Sequence, residues 1–465
     1  MELLLDLIPN FSNPFSAMWW MLFKGGWLVI LLVSVNGLWK MWLKDRRGAY
    51  LGAIDYVFLA INVPKQTEQP PKAVENFFLH MTGIFSGKGT LVDRFWKGKL
   101  QDRFSCELIS RGGFVQFYVR IAAKYRPLLE ASIFAQYPDA EITETTDYVL
   151  DVPQYWPDET HDMWGSELVL TRPYVYPIKT YISFEDKLSG TFKDPLATLF
   201  EYLSTLKKGE QAWIQIALVA TDNTWHKNGL DEVKRLIGQK VSHKGSSIDT
   251  LTKGMFGWFV NLAHEFTKEL FGFAGSGPTA TGPGAGGPNY PSLMQFLSPG
   301  EKTVLEQVQM KSGKPGFLTK IRLVYLAPRE IFMKQRAMAG LLGAFKQFSI
   351  LDLNTFTMDD CSKVSANYFF VPQRIARRQN KLMRAYKNRS AVGGHPPYVL
   401  NAEELATLWH FPMIDVAAPL LSKTASRRGE PPKTLPLHEI AVPKSRSPLP
   451  ALEDTEEMPD NIPFL

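Results

Sequence analysis

The chain has 465 residues, of which 45% are hydrophobic and 21% are charged, proportions that are ordinary for globular domains. Its net charge of +6 favours anionic neighbours, such as a lipid surface or nucleic acid. Cys106 and Cys361 lie far apart in sequence, which indicates reduced thiols and argues against a disulfide framework. Only one apolar run is long enough to span a bilayer, so a channel or transporter built from one chain is excluded.

The first prominent element is the apolar run over residues 25–43, GGWLVILLVSVNGLWKMWL, which holds a single charge, Lys40. A helix needs roughly 20 mostly apolar residues to cross the hydrocarbon core of a bilayer. Tryptophans near both ends are typical of the aromatic belts of a spanning helix. We predict a transmembrane helix over 25–43, preceded by a short lead over 1–24. A cleaved secretory signal fits less well, because the start of the chain has no basic region and no small-residue cleavage site follows the run.

The charges that flank this run predict its orientation. Lys44, Arg46 and Arg47 follow the run, whereas Lys24 is the basic residue that precedes it. Positively charged flanks stay in the cytoplasm. We therefore expect a single-pass protein of the cell inner membrane, with its N-terminus outside and the bulk of the chain cytoplasmic.

Residues 54–150 show strand and helix patterns in the order β-α-β-β-α-β. The strands are rich in β-branched and aromatic residues, and a Gly112-Gly113 turn joins the two central strands. The predicted elements are a strand over 56–63, a helix that begins at Pro71, strands over 104–109 and 114–121, a helix over 126–137 and a strand over 140–145. This order is typical of a ferredoxin-like module.

The same order recurs over residues 165–356, with an insertion over 222–316 between the middle strands. The predicted elements are strand material over 168–181, a helix over 194–206, strands over 211–221 and 317–326, a helix over 329–348 and a strand over 350–356. We therefore predict an α+β fold, with one N-terminal transmembrane helix, two tandem ferredoxin-like modules (βαββαβ) and a disordered tail over 422–465.

The insertion contains an amphipathic stretch over residues 255–273, MFGWFVNLAHEFTKELFGF. Its aromatic residues recur at spacings of three and four, which predicts a helix with one apolar face. Two interpretations are open. The helix packs on the core of the second module, or it contacts a membrane interface or a partner.

The region over 371–412 contains two further helix patterns, of which the first is strongly basic. Its sequence, VPQRIARRQNKLMRAYKNRS, carries seven basic residues and no acidic residue. The candidate contacts with anionic lipid headgroups or DNA phosphates are Arg374, Arg377, Arg378, Lys381, Arg384 and Lys387. A solvated helix face without any ligand is the open alternative.

The second pattern, VLNAEELATLWHFP, is a candidate docking helix. Asn401 suits the N-cap position and Glu404 suits the third helical position. Large apolar side chains of the kind found here dominate many protein interfaces. The candidate partner-docking residues are Glu404, Leu405, Leu408, Trp409, His410 and Phe411. Packing of this helix on the second module of the same chain is the open alternative.

Motifs for catalysis or cofactor binding are missing from the sequence. The segment GIFSGKGT, residues 83–90, comes nearest to a phosphate-binding P-loop, but it has three residues instead of four between its first glycines, and Gly89 replaces the hydroxyl residue. His264 and Glu265 begin a zinc-protease pattern, in which Lys268 occupies the place of the second histidine. We therefore expect no enzyme activity, no cofactor and no metal site.

Several segments taken together resemble a known family. They are VRIAAKYRPLLEASIFAQYPDAEITETTDYV, LTRPYVYPIKTY, IRLVYLAPREIFMKQRAMAGLLGAFKQF, VLNAEELATLWHFP and APLLSKTASRRGEPPKTLP. In this order, and behind an N-terminal anchor, they resemble the N-terminal region of membrane-bound type IV secretion proteins of conjugative DNA transfer. The resemblance covers most of residues 17–440. In that family the segments that correspond to 404–412 and 431–436 precede a motor ATPase domain, which does not follow here.

The resemblance implies a non-enzymatic inner-membrane component of a type IV secretion or conjugative DNA transfer-like machine, which anchors or docks a separate ATPase. The implied partners are the membrane, that ATPase and DNA, and we expect an oligomer, arranged in a ring with the ATPase. The alternative function, which depends on the basic helix alone, is a stand-alone membrane-tethered nucleic-acid-binding or scaffold protein.

Overall fold

The structure is a computed structural model of the full chain. It describes Trp19, Phe23 and residues 27–63, 69–87, 89–185, 192–222, 224–239, 297–391 and 393–413. Most of the predicted lead over 1–24, the amphipathic stretch over 255–273 and the predicted tail over 422–465 lie outside these residues.

The helices and strands are numbered here in chain order. The helices are α1 (Trp27–Gly52), α2 (Pro71–Met81), α3 (Arg126–Phe134), α4 (Ala197–Ser204), α5 (Thr224–Leu236), α6 (Pro299–Ser312), α7 (Lys334–Lys346), α8 (Val371–Lys387) and α9 (Ala402–Leu408). The strands are β1 (Tyr56–Asn62), β2 (Arg103–Arg111), β3 (Phe114–Ala122), β4 (Glu141–Glu144), β5 (His161–Leu170), β6 (Gln211–Ala220), β7 (Gly316–Pro328), β8 (Phe356–Met358) and β9 (Tyr398–Asn401).

All nine strands belong to one antiparallel sheet. Its order is β4-β1-β3-β2-β6-β7-β5-β8, and β9 pairs with the first residues of β7. The β-α-β-β-α-β order of elements occurs once in each half, but β2 and β6 join the halves by pairing from Arg103 opposite Val219 to Arg111 opposite Gln211. The prediction of two separate ferredoxin-like modules is therefore wrong. Sequence patterns identify strands, but they do not show which strand edges pair with each other.

The prediction of a transmembrane helix over 25–43 is also wrong. Among the residues that the structure describes, no helix is long and apolar enough to cross a membrane. The C-terminal half of α1 carries several charges, and its tryptophans pack on the chain itself. The ring centroid of Trp39 lies 6.2 Å from that of Phe95, and the centroid of Trp42 lies 5.8 Å from that of Trp96. The predicted orientation of the chain depended on this helix, so it has no structural basis.

Several local predictions are confirmed by the structure. The β2–β3 hairpin turns at Gly112 and Gly113, whose φ angles of 57° and 87° favour glycine. The capping boxes of α6 and α9 are present, with Ser298 and Asn401 as the N-cap residues. The strand predicted over 168–181 is displaced, because β5 ends at Leu170. Signals carried by a few neighbouring residues were therefore sufficient for caps and turns.

Candidate nucleic-acid interface

The basic helix α8 packs one face against β5. Its buried residues are Gln379, Leu382, Met383 and Tyr386, which recur at helical spacing. Gly165 on β5 allows the close approach, because a Cβ atom there would lie 2.7 Å from a methyl carbon of Leu382 and 2.5 Å from the carbonyl oxygen of Leu323. The position of α8 on the sheet therefore depends on a residue without a side chain.

A row of four buried polar side chains crosses the sheet beneath the C-terminal end of α8. Glu107, Gln215, Arg322 and Glu167 lie opposite one another on β2, β6, β7 and β5. Gln215 donates to Glu107 at 3.0 Å, while Arg322 donates to Gln215 at 3.0 Å and to Glu167 at 3.0 Å. Both halves of the sheet contribute, so the row connects them by continuous hydrogen bonds. We call these four residues the polar row.

Arg389, two residues beyond the end of α8, completes the polar row at its Glu107 end. Its guanidinium donates to both carboxylate oxygens of Glu107, at 2.9 and 3.2 Å, and it also pairs with Asp147. Burial acts to raise the pKa of Glu107, but the attraction of Arg389 and several hydrogen bonds hold it below the usual value. Glu107 is therefore a charged group in the core, and Arg389 is its main counter-ion.

The chain that follows α8 is held at the other end of the polar row. Glu167 pairs with Lys320 at 3.2 Å and accepts from the backbone N–H of His395 at 2.8 Å. A Cβ atom at Gly394, which has a φ of 88°, would lie 2.1 Å from a carboxylate oxygen of Glu167. With Arg389 at one end and Gly394 at the other, the polar row fixes both the end of α8 and the segment after it.

The opposite face of α8 is cationic and exposed. Arg374, Arg377, Lys381 and Arg384 are exposed and recur at intervals of three and four residues, so they share one helix face. Arg374 donates to the carbonyl oxygen of Asn367 at 2.7 Å. Within the described part of the chain, the side chains of the other three make no hydrogen bond and no ion pair. We call these four residues the basic face.

Two of the six basic residues singled out from the sequence do not belong to the basic face. Arg378 donates to the carbonyl oxygens of Lys363 and Ser365. The ammonium of Lys387 donates to the carbonyl oxygen of Pro153 at 3.2 Å and to the side chain of Gln154 at 2.9 Å. Both side chains are partly buried, so their role is to attach α8 to neighbouring loops.

Three exposed aromatic residues precede α8, and the sequence analysis missed them. Tyr368, Phe369 and Phe370 are 88%, 81% and 75% exposed. Tyr368 and Phe370 have φ angles of 68° and 53°, in a region that bulky residues rarely adopt. The sequence signal was a run of three aromatic residues directly before a proline-initiated helix. We call this set the aromatic triplet.

The six residues predicted to dock a partner lie in the core. Their exposed fractions are 3% or less for Glu404, Leu405, Leu408, Trp409, His410 and Phe411. The ring of Trp409 contacts those of Phe117 and Phe411, with centroids 5.6 and 5.3 Å away. Glu404 pairs with Lys311 at 3.0 Å, and His410 contacts Asp194 at 3.0 Å. The segment therefore packs inside its own chain. Its ring contacts include Phe117 of the first half of the sheet, whereas the alternative left open from the sequence was packing on the second module alone.

Fold and site together define an α+β protein in which one antiparallel sheet carries an exposed cationic helix. The family described as a domain of unknown function, DUF8128, matches residues 99–423, and the chain belongs to this family. The match includes all four strands of the polar row and the whole of α8. No curated protein matches the chain. Among the described residues, no group of three His, Cys, Asp or Glu residues is arranged to hold a metal ion.

Proposed function

We propose that this protein binds single-stranded nucleic acid through the basic face of α8 and the adjoining aromatic triplet. The observation that carries the proposal is that two unusual surfaces are adjacent along the chain. Three highly exposed aromatic rings come directly before a helix with four exposed cations. Proteins that bind single strands combine a cationic track for the phosphates with aromatic rings on which bases stack.

The dimensions of the basic face suit a short stretch of phosphates. Arg374 and Arg384 are ten residues apart on α8, which corresponds to about 15 Å at the usual helical rise. A strand whose bases are stacked as in a duplex rises about 3.4 Å per nucleotide, so the basic face spans about four stacked nucleotides. Three of its four cations are arginines, whose planar guanidinium groups suit phosphate oxygens.

The anchoring of α8 supports a binding role for its outer face. The polar row, Arg389 and Gly165 hold the inner face, so the exposed cations project from a fixed helix. A preorganised surface loses less conformational freedom on binding than a mobile segment does. The backbone positions from which the four cations project are therefore set before any ligand arrives.

The test uses the full-length chain and a fluorescein-labelled oligothymidylate, followed by fluorescence anisotropy over a range of salt concentrations. The variant Arg377→Glu/Lys381→Glu/Arg384→Glu should weaken binding by about tenfold or more and reduce the slope of log affinity against log salt by about 2. Replacing the aromatic triplet by alanine should weaken binding by about 1–3 kcal/mol per stacked base, with a smaller change in the salt slope.

A matched control carries the same change in net charge elsewhere. Lys207→Glu/Lys208→Glu/Lys302→Glu alters three exposed lysines outside the basic face and should leave the affinity nearly unchanged. Equal losses in both triple variants would contradict the proposal. So would tighter binding to a duplex than to the single strand, or binding to phosphatidylserine vesicles without binding to the oligonucleotide.

The role in a type IV secretion-like machine, with a separate ATPase and a ring-shaped oligomer, stays a prediction. Its docking residues, from Glu404 to Phe411, lie in the core of this chain. The basic face is exposed, and it therefore supports the nucleic-acid-binding alternative better than the docking one.

A further inference from the structure

A second candidate site is formed by segments of the chain other than α8 and the aromatic triplet. A cavity of about 640 Å³ lies between the C-terminal part of α1, the segment over 85–101, the end of β6 and the start of β7. This volume is in the usual range for pockets that hold small organic molecules. The function proposed above makes no use of it.

The cavity has an apolar part, supplied by the sheet and the neighbouring loop. Its apolar lining residues are Phe85, Leu91, Leu100, Val219, Ala220 and Leu318. Val219 and Ala220 are the last residues of β6, and Leu318 is the third residue of β7. A ring or another apolar group can therefore lie against side chains whose positions the sheet fixes.

Three cations line the same cavity. They are Arg47 of α1, Arg94 and Lys99. The Nε atom of Arg47 is buried and has no hydrogen-bond partner among the described residues. A buried donor without a partner is unfavourable, so an acceptor on a ligand would relieve that penalty.

The acidic residues of the lining do not cancel this charge. Asp93 forms an ion pair with Lys97 at 2.9 Å and also accepts a hydrogen bond from the hydroxyl of Thr90 at 2.9 Å. These two contacts direct its carboxylate to neighbours on its own segment. Asp222 is the other acidic lining residue, and its carboxylate accepts hydrogen bonds from the hydroxyl and the backbone N–H of Thr224. The lining therefore holds three cations and two carboxylates, and both carboxylates already have contacts within the chain.

We propose that this cavity binds a small organic phosphate that carries an apolar or aromatic moiety, such as a mononucleotide. The phosphate contacts Arg47, Arg94 and Lys99, and the apolar moiety lies against Leu100, Val219 and Leu318. The cavity borders the segment over 83–90, which fails as a P-loop. Recognition of the phosphate therefore comes from cationic side chains and not from a glycine-rich loop.

The test measures binding of the fluorescent mononucleotide mant-AMP to the full-length chain. We expect saturable binding that AMP competes for strongly, adenosine weakly and inorganic phosphate weakly, because both parts of the ligand contribute. The variant Arg47→Gln/Arg94→Gln should weaken binding by about tenfold or more, and the milder Lys99→Gln by a smaller factor. Arg47→Lys retains the charge but lacks the buried Nε donor, so it should weaken binding by less than Arg47→Gln/Arg94→Gln does.

Two controls separate this site from the basic face. Lys207→Gln/Lys302→Gln removes two charges outside the cavity and should bind mant-AMP as the unaltered chain does. The triple charge reversal on α8 should also leave mant-AMP binding unchanged, so the two proposals fail independently. Absence of saturable binding, equal competition by adenosine and AMP, or unchanged affinity in both Arg47→Gln/Arg94→Gln and Lys99→Gln would overturn the proposal.

Discussion

The helices α8 and α9 are both charged and amphipathic in sequence, yet they differ in the structure. The candidate docking residues of the α9 segment are buried, whereas the basic face of α8 is exposed to solvent. The polar side chains of the α9 segment have buried partners, Lys311 for Glu404 and Asp194 for His410. The cations Arg377, Lys381 and Arg384 of α8 have no partner among the described residues. The difference shows that a charged helix indicates a binding surface only when its charges are left uncompensated by the fold.

The largest expected effect follows from removing a partner of α9. Lys311→Met leaves Glu404 buried without its counter-ion, which should lower the free energy of unfolding by about 3–5 kcal/mol. Burial already raises the pKa of Glu404 and lowers that of Lys311. The charged form of either side chain is therefore unfavourable when its partner is removed. Urea unfolding followed by circular dichroism measures the change. The double variant Lys311→Met/Glu404→Gln should recover part of the loss, and no recovery would show that the pair is not the cause.

The second prediction concerns the contact of α8 with the sheet. Gly165→Ala places a methyl group within 2.7 Å of Leu382 and closer still to the backbone of β7. Overpacking of this kind should lower the free energy of unfolding by about 1–3 kcal/mol. Because α8 must move, oligothymidylate binding should weaken as well. Gly343→Ala on α7, where a Cβ atom meets nothing within 4 Å, is the matched control. It should leave oligothymidylate binding unchanged and should not lower the free energy of unfolding, because alanine favours a helix over glycine.

The third prediction concerns how the stability of the fold depends on pH through Asp194, the partner of His410 in the α9 segment. Burial acts to raise the pKa of Asp194, but His410 and backbone hydrogen bonds hold it below the usual value. A carboxyl group with a lowered pKa in the folded state stabilises the fold above its unfolded pKa of about 3.9. That contribution is lost as the pH falls through the lower, folded pKa.

The measurement is the free energy of unfolding between neutral pH and pH near 3. The unaltered chain should lose stability over the acidic part of this range, and Asp194→Asn should lose less, starting from a lower value at neutral pH. Asp139→Asn removes an exposed carboxylate and provides the control. A variant with the same acid dependence as the unaltered chain would contradict the role assigned to Asp194.

The smallest effect is expected on the exposed side of α8. Alanine at Arg377, Lys381 or Arg384 should change the free energy of unfolding by no more than about 0.5 kcal/mol each. The same substitutions should weaken oligothymidylate binding measurably, because each removes one phosphate contact. A large loss of stability in any of the three would show that its side chain has a structural partner.

Much of the local structure was predictable because its causes are local. The capping boxes at Ser298 and Asn401, and the hairpin turn at Gly112, depend on residues a few positions apart. The basic character of α8 was equally evident. Which of its cations remain exposed was not evident, because this depends on how loops fold back on the helix. Arg378 donates to carbonyl oxygens of the loop that precedes α8, and Lys387 donates to the carbonyl oxygen of Pro153, which is distant in sequence.

The larger errors concern contacts between distant segments. The pairing of β2 with β6 joins residues about a hundred positions apart, and no periodicity within either strand specifies it. The apolar run of α1 met the length criterion for a membrane span, but Trp39 and Trp42 have aromatic partners on the segment after β1 and α2. The aromatic triplet was missed because its exposure depends on the packing around it.

The polar row has a consequence for how the chain can be divided. A fragment that ends near residue 150 would contain Glu107 but would lack Gln215 and Arg389, so it would hold a buried acid without a counter-ion. It would also expose the whole edge of β2, a ready template for pairing with other chains. We therefore expect each half of the sheet to need the other for stable folding. During synthesis the edge of β2 stays unpaired, and open to aggregation, until β6 has been made.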